Sequence, residues 1–87
     1  MSPFARASGT FGTFVKGYRY RVRHDRALSG TVANDTVVFV GGGEYSPYDD
    51  AWVYTFRPLL DGKTMFWLLR PEDPPEKPHN DFEELGP

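Results

Sequence analysis

The sequence predicts a mainly β protein, built as a small, curved antiparallel sheet or a partly open barrel of four or five strands. Residues 18–23 alternate apolar and basic side chains without a break. The dipeptide Asp61-Gly62 separates two runs rich in aromatic and β-branched residues. The sequence contains no amphipathic helix of ten residues or more, and its 87 residues are enough for one domain.

The first two strands follow from the residue pattern. Residues 18–23 have the period of two that a strand with one buried face requires. Residues 36–40 are apolar on both faces, which is typical of a central strand, and the three glycines at 41–43 are expected to end it. Residues 11–15 are a further candidate for an edge strand.

Residues 51–57 and 64–70 are expected to form a hairpin, because Asp61-Gly62 suits the positive φ angles of a two-residue turn. In that register Phe56 faces Trp67, and Tyr54 faces Leu69. The large side chains that then share one face are Trp52, Tyr54, Phe56, Met65, Trp67 and Leu69.

Closure of these strands into a barrel of the SH3-like kind would bury one side of each strand. The arginines at 19, 21 and 23 would then lie outside. The expected interior consists of Tyr18, Tyr20, Val22, Val38, Val40, Trp52, Tyr54, Phe56, Trp67 and Leu69.

The C-terminal residues 71–87 differ in composition from the rest, with five of the eight prolines and six of the twelve acids. Because proline lacks an N–H group, we expect an extended tail and a folded core that ends near Arg70. Residues 80–85 permit one short helical turn. The sequence therefore divides into a disordered N-terminus at 1–9, a β domain at 10–70 and a Pro-rich acidic tail at 71–87.

Charge is unevenly distributed, since residues 1–30 carry a net charge of +5 and residues 31–87 a net charge of -7. Such asymmetry favours partners of opposite charge. The absence of cysteine excludes disulfides and thiolate metal sites, and it indicates a reducing, cytoplasmic setting. No apolar run is long enough to span a membrane and no signal peptide is evident, so no membrane contact is expected.

The patterns of catalytic and metal sites are missing from the sequence. The glycines at 41–43 are not followed by the lysine and hydroxyl of a phosphate-binding loop, and no serine lies in a nucleophile motif. The aspartates at 49–50 lack the ligand spacing of a calcium loop, and His24 and His79 lack neighbouring acids at a ligand spacing. We therefore expect no enzyme activity, no cofactor and no metal.

One basic row stands out. Arg19, Arg21 and Arg23 point the same way along a strand, with Lys16 and Arg26 beside them, and such a row can follow a nucleic-acid backbone. Two other interpretations are a solvated outer strand face and pairing of the arginines with acids of the tail. We favour the solvated face, because the net charge is negative and an acidic tail folded over the sheet would repel phosphate.

Four segments within about residues 14–70 carry a family resemblance, and they are Lys16-Gly17-Tyr18-Arg19-Tyr20-Arg21-Val22, Asp35-Thr36-Val37-Val38-Phe39, Tyr45-Ser46-Pro47-Tyr48-Asp49-Asp50 and Trp67-Leu68-Leu69. Together they resemble small, uncharacterised bacterial SH3-like β domains, some of which are similar to immunity proteins of toxin–immunity systems. The resemblance implies no catalytic residue. As structural elements, Pro47 can set a turn, Tyr48 can cover the barrel end and Asp49 can accept backbone donors.

The resemblance and the clustered acids predict a non-enzymatic protein-binding module, an immunity or inhibitor protein that neutralises a toxin or other effector, such as a basic nuclease. The alternative is a nucleic-acid-binding regulator of phage or mobile-element origin that uses the Arg19, Arg21 and Arg23 face. The candidate protein-binding residues are Glu44, Tyr45, Tyr48, Asp49, Asp50, Glu72, Asp73, Glu76, Asp81, Phe82, Glu83 and Glu84.

Overall fold

A computed structural model describes residues 14–28, 30–59 and 63–87. Within these ranges the chain forms five strands and one short helix, in the order β1 (Arg19–Val22), β2 (Thr36–Ser46), β3 (Ala51–Pro58), β4 (Met65–Leu69), α1 (Lys77–Asp81) and β5 (Phe82–Gly86). The strands form one antiparallel sheet in the order β4-β3-β2-β1-β5. The prediction of a mainly β protein with a small sheet is confirmed.

The sheet is strongly curved. Its two edges are β4 and β5, yet the rings of Trp67 on β4 and Phe82 on β5 lie only 5.6 Å apart between centroids. A flat five-stranded sheet would hold its edges roughly 19 Å apart, because neighbouring strands are spaced by roughly 4.8 Å. The sheet therefore folds one face around an aromatic core, as predicted.

The core centres on Phe14, which precedes β1. Its ring packs edge-on against Tyr20, Phe56 and Trp67, with centroids 5.1 to 5.4 Å apart. Six residues of the predicted interior are confirmed in this core, namely Tyr20, Val22, Tyr54, Phe56, Trp67 and Leu69, while Tyr18 and Trp52 are partly buried against it. The core residues that the sequence did not indicate are Phe14, Ala27, Leu28, Val37, Phe39 and Phe82.

The prediction of which face of β2 points into the core is wrong. Val37 and Phe39 belong to the core, whereas Val38 is buried outside it and Val40 is half-buried. Pairing of Tyr20 with Val37 sets this choice, because directly opposed residues of antiparallel strands share one face. Both faces of β2 carry apolar residues, so the alternation of side chains in the sequence could not show which face is buried.

The glycines do not end β2, contrary to the prediction. The strand continues to Ser46, with irregular pairing between Phe39 and Gly41 and again between Gly42 and Glu44. At Gly42 the φ angle is +124°, and an added Cβ would lie 2.5 Å from the carbonyl oxygen of Val53. Glycine thus lets β2 bend closely across β3, which keeps the hairpin continuous.

The β3–β4 register differs from the predicted one by two residues. Tyr54 pairs with Trp67 and Phe56 pairs with Met65. Since a shift of two preserves the alternation of faces, the predicted set of side chains on one face still holds. Pro58 has no N–H group for a ladder, and β4 begins only at Met65, so the connection is longer than a two-residue turn. The predicted turn residues at 61–62 lie outside the described residues.

The folded core does not end near Arg70. Phe82 is 3% exposed in the core, and β5 pairs with β1 through Val22–Phe82 and Arg21–Glu83. Four of the five prolines in 71–87 precede residue 79 and the fifth is Pro87, so residues 82–86 keep the N–H groups that a ladder needs. The predicted helical turn occurs earlier, as α1, with Pro78 in its first turn.

The N-terminal predictions are tested only in part. Residues 1–9 and 11–13 lie outside the described residues, and Phe14 contributes to the core from an irregular segment. No helix in the described part of the chain is long and apolar enough to cross a membrane.

Candidate functional site

Strand pairing places two acidic segments that are distant in sequence at the same end of the sheet. The β2–β3 hairpin closes where Ser46 pairs with Ala51, and Trp52 in turn pairs with Leu69, the last residue of β4. Residues 71–76 leave β4 at this point, so they begin beside the hairpin. We call this region the acidic end, and its acids are Glu44, Asp49, Asp50, Glu72, Asp73 and Glu76.

Side-chain hydrogen bonds brace the tip of the hairpin. The Tyr45 hydroxyl donates to Asp50, and the Ser46 hydroxyl donates to Asp49 Oδ2 at 2.9 Å. The hydrogen bond to Asp50, with smaller contributions from burial and from the Asp50 charge, raises the pKa of Tyr45 above its usual range. Tyr45 also packs edge-on against Trp52, with ring centroids 5.3 Å apart. The tip therefore has a defined shape before any partner binds.

Tyr48 is the most exposed aromatic residue that the structure describes at this end. Its side chain is 96% exposed, so the expectation that Tyr48 covers the barrel end is wrong. The hairpin extends past the last paired residues, Ser46 and Ala51, and carries Tyr48 beyond the core. Glu44, Asp49 and Asp50 are also exposed beside it.

Asp73 has a structural role within the 71–76 segment. Its Oδ2 accepts the Arg70 N–H at 2.7 Å and lies 3.1 Å from Lys77 Nζ, which also donates to the Leu68 carbonyl at 2.9 Å. Partial burial opposes ionisation of Asp73, but these donors outweigh it and lower its pKa below the usual range. Glu72 and Glu76 are exposed and remain available to a partner.

Two predicted binding residues are buried instead. Asp81 is 6% exposed, and its two carboxylate oxygens lie 2.8 Å from Trp67 Nε1 and 2.7 Å from His24 Nε2. Phe82 stacks on Phe56, with centroids 4.9 Å apart. Neither residue belongs to a binding surface, because the curvature of the sheet brings α1 and the start of β5 onto the core.

The C-terminal residues accept hydrogen bonds from all three arginines of the basic row. Arg21 Nε donates to Glu83 Oε1 at 3.0 Å, Arg23 Nε donates to the carbonyl of Phe82 at 3.0 Å, and an Arg19 guanidinium N–H donates to the carbonyl of Pro87 at 2.9 Å. Pairing of the row with tail acids is thus confirmed at Arg21. Glu84 lies within 3.4 Å of the Tyr20 hydroxyl.

Sequence reasoning missed Arg57. It is exposed on β3 and lines a shallow groove of about 180 Å³ together with Lys16, Val38 and Val40. The sequence gives little sign of this groove, because Lys16 and Arg57 are far apart in the chain. Lys16 precedes β1 and reaches β2 through the hydrogen bond from the Gly17 N–H to the Phe39 carbonyl, at 2.9 Å. Arg26, also an exposed candidate, lies in the turn that follows β1.

An apolar cavity of about 370 Å³ opens at the other end of the sheet, between Thr31, Val37, Pro58, Leu59 and Met65. Across the described ranges, no group of three or more histidine and acidic side chains is arranged to hold a metal ion.

Comparison of the chain with protein-family models, with curated proteins and with solved structures finds no match. The described residues form a mainly β domain whose curved five-stranded sheet carries a braced acidic hairpin at one end.

Proposed function

We propose that this protein is a non-enzymatic protein-binding module that neutralises a basic toxin or other effector through its acidic end. The observation that carries the proposal is Tyr48, which is 96% exposed at the tip of a hairpin whose shape is fixed by hydrogen bonds of Tyr45 and Ser46. Exposed aromatic side chains on rigid elements are the anchors that supply most of the binding free energy at protein interfaces.

Charge supports a basic target. Glu44, Asp49 and Asp50 are exposed on the same hairpin as Tyr48, and Glu72 and Glu76 are exposed on the segment that follows β4. A field of one sign speeds encounter with a surface of the opposite sign. An acidic surface of this kind also occupies sites that bind phosphate, which would block a nuclease.

The test begins with capture of a partner from the native host, followed by reconstitution of the complex from the two purified proteins. We expect a basic partner whose toxicity to growing cells is suppressed by co-expression of this chain. The substitution Tyr48→Ala should raise the dissociation constant at least tenfold, because it removes the central anchor. Glu44→Lys should mainly slow association, and its effect should decrease with added salt.

The matched control is Glu84→Lys, the same charge change on β5. Glu84 pairs with Tyr20, which pairs with Val37 near the start of β2, so it lies at the end of the sheet away from the hairpin. We expect this variant to bind as the wild type does. Equal losses in Tyr48→Ala and Glu84→Lys, or a partner with an acidic surface, would contradict the proposal.

A further inference from the structure

The outer face of the sheet carries a surface chemically unlike the acidic end. Strand pairing aligns Arg19 on β1, Val38 on β2 and Arg57 on β3 side by side. Because neighbouring strands are spaced by roughly 4.8 Å, the Cα atoms of the two arginines are separated by roughly 10 Å with Val38 between them. Lys16 lines the same groove as Arg57 and Val38. Three cations therefore border one apolar strip.

In the part of the chain that the structure describes, two of these cations have no acidic partner. Among the residues that the structure describes, Lys16 and Arg57 take part in no ion pair, and the Arg57 guanidinium meets only the carbonyl of Pro58, at 3.4 Å. Arg19 donates to a backbone carbonyl, that of Pro87. Arg21, by contrast, is paired with Glu83. Among the described residues, the C-terminal strand thus neutralises Arg21 and leaves Lys16 and Arg57 without an acidic partner.

The same face presents an aromatic ring. Phe66 on β4 pairs with Thr55, two residues before Arg57, and it points away from the core-facing pair of Phe56 and Met65. Its side chain is 57% exposed. Exposed aromatic rings beside a basic groove are the platforms on which the bases of single-stranded nucleic acids stack. We call the surface formed by Lys16, Arg19, Arg57 and Phe66 the basic face.

We infer that the basic face binds single-stranded nucleic acid. Lys16, Arg19 and Arg57 contact phosphates, and Phe66 stacks on a base. A nucleic acid supplies both regularly spaced negative charge and planar rings, so it matches the two chemistries of this face. Glu44 lies on the outer face near the hairpin, opposite Val53. Because its negative charge repels phosphate, the bound nucleic acid crosses the β-strands and does not run along them towards the acidic end. This activity is separate from the proposed protein binding.

The experiment is a fluorescence anisotropy titration of a labelled, twelve-nucleotide oligothymidylate with the full chain at increasing salt. Three phosphate contacts predict that log affinity falls against log salt with a slope of roughly -2, from about 0.7 per contact with a single strand. Absence of binding at low salt would overturn the inference.

Variants locate the site. Arg57→Glu should weaken binding at least tenfold, and Phe66→Ala should weaken it several-fold while leaving the salt slope unchanged, because it removes stacking and no charge. The charge-matched control is Arg26→Glu, which alters an exposed cation outside the groove and should change affinity less than threefold. Lys16→Glu, in the same groove, replaces Arg57→Glu if the latter does not fold by circular dichroism.

Two further results would overturn the inference. One is an equal loss of affinity in Arg26→Glu and Arg57→Glu, which would show unlocalised charge attraction. The other is a combination of two observations: polyglutamate competes as effectively as unlabelled oligothymidylate, and Phe66→Ala has no effect on affinity. That combination would show that the basic face binds an acidic protein segment. Tyr48→Ala should bind the oligonucleotide normally, so failure of this inference and failure of the proposed function are distinguishable.

Discussion

Asp81 joins three parts of the chain through one buried carboxylate. It belongs to α1, accepts the indole N–H of Trp67 on β4, and lies against the imidazole of His24 in the turn after β1. Its backbone carbonyl also accepts the N–H of Arg23 at 2.9 Å. Trp67 is 3% exposed, so its buried N–H depends on this carboxylate for an acceptor, whereas the His24 side chain is 51% exposed and also reaches water.

Asp81→Ala should therefore destabilise the fold. It leaves the buried Trp67 N–H without an acceptor, which costs about 1–3 kcal/mol. Asp81→Asn, which keeps one oxygen, should lose less. Urea unfolding followed by tryptophan fluorescence measures both, and Asp49→Ala at the exposed hairpin serves as control. A free energy of unfolding equally reduced in Asp81→Ala and Asp49→Ala would show that burial of Asp81 has no energetic role.

Gly42 is a second residue with a local requirement. Gly42→Ala introduces a Cβ 2.5 Å from the Val53 carbonyl oxygen at a φ angle of +124°, so it combines a backbone clash with backbone strain. Gly41→Ala, in the same strand, has open space around its Cβ. We expect Gly41→Ala to cost about 1–3 kcal/mol from backbone strain alone, and Gly42→Ala to cost more. Thermal unfolding compares the two, and the reverse ranking would argue against the close approach of β2 and β3.

The Tyr45–Asp50 hydrogen bond makes the hairpin sensitive to alkaline pH. Because this bond raises the pKa of Tyr45 above 10.0 in the fold, its stabilising effect is complete below pH 10.0 and is lost as pH rises through the folded-state pKa. The difference in phenolate absorbance between wild type and Tyr45→Phe isolates this residue. In Asp50→Asn the titration midpoint should fall, whereas an unchanged midpoint would exclude the hydrogen bond as the cause.

At the scale of elements, β5 is held chiefly by its first residue. Phe82 packs in the core against Phe56 and Trp67. On the other face of the sheet, Arg21 and Glu83 form an ion pair whose side chains are 42% and 43% exposed. An exposed ion pair contributes little, whereas burial of a large aromatic ring contributes several kcal/mol.

Phe82→Ala should accordingly cost about 3–5 kcal/mol, and Glu83→Gln no more than about 1 kcal/mol. Chemical denaturation gives both free energies on one scale. Glu83→Gln is also the internal control, since it changes the neighbouring residue of the same strand. A larger loss for Glu83→Gln than for Phe82→Ala would mean that electrostatic pairing, not the core, attaches β5.

At the scale of the whole molecule, one aromatic cluster connects every strand of the sheet. Phe14 lies within 5.1 to 5.4 Å, between ring centroids, of Tyr20 on β1, Phe39 on β2, Phe56 on β3 and Trp67 on β4. Its distance to Phe82 on β5 is 5.4 Å. All five described strands thus contribute to one core, so we expect them to unfold together.

Phe14→Ala should cost about 3–5 kcal/mol and lower the midpoint for all strands at once. Urea unfolding curves from tryptophan fluorescence and from far-ultraviolet circular dichroism should coincide in the wild type and in the variant. Phe14→Leu, which keeps apolar volume, should lose less. Separate transitions for the two signals would show that part of the sheet is stable without Phe14.

Much of the fold could be predicted because strand alternation is a local property of the chain. The period of two in residues 18–23 places Tyr20 and Val22 in the core, and the aromatic runs of β3 and β4 share one face as expected. The acids at 44–50 were also visible in sequence as an exposed turn. Their proximity to residues 72–76 was not, because it depends on the pairing of Trp52 with Leu69.

The sequence by itself thus determined the strand composition, the core faces of three strands and the uneven charge. Tertiary structure decided what depends on pairing between distant segments: the inward face of β2, the burial of Asp81 and Phe82, and the meeting of Lys16 with Arg57. The physical reason is that the period of two only divides the residues of a strand between two faces. The pairing of that strand with its neighbours determines which of the two faces is buried. The composition of residues 71–87, rich in proline and acids, predicts exposure to solvent. Phe82 is nevertheless buried, because the curved sheet brings it against the aromatic core.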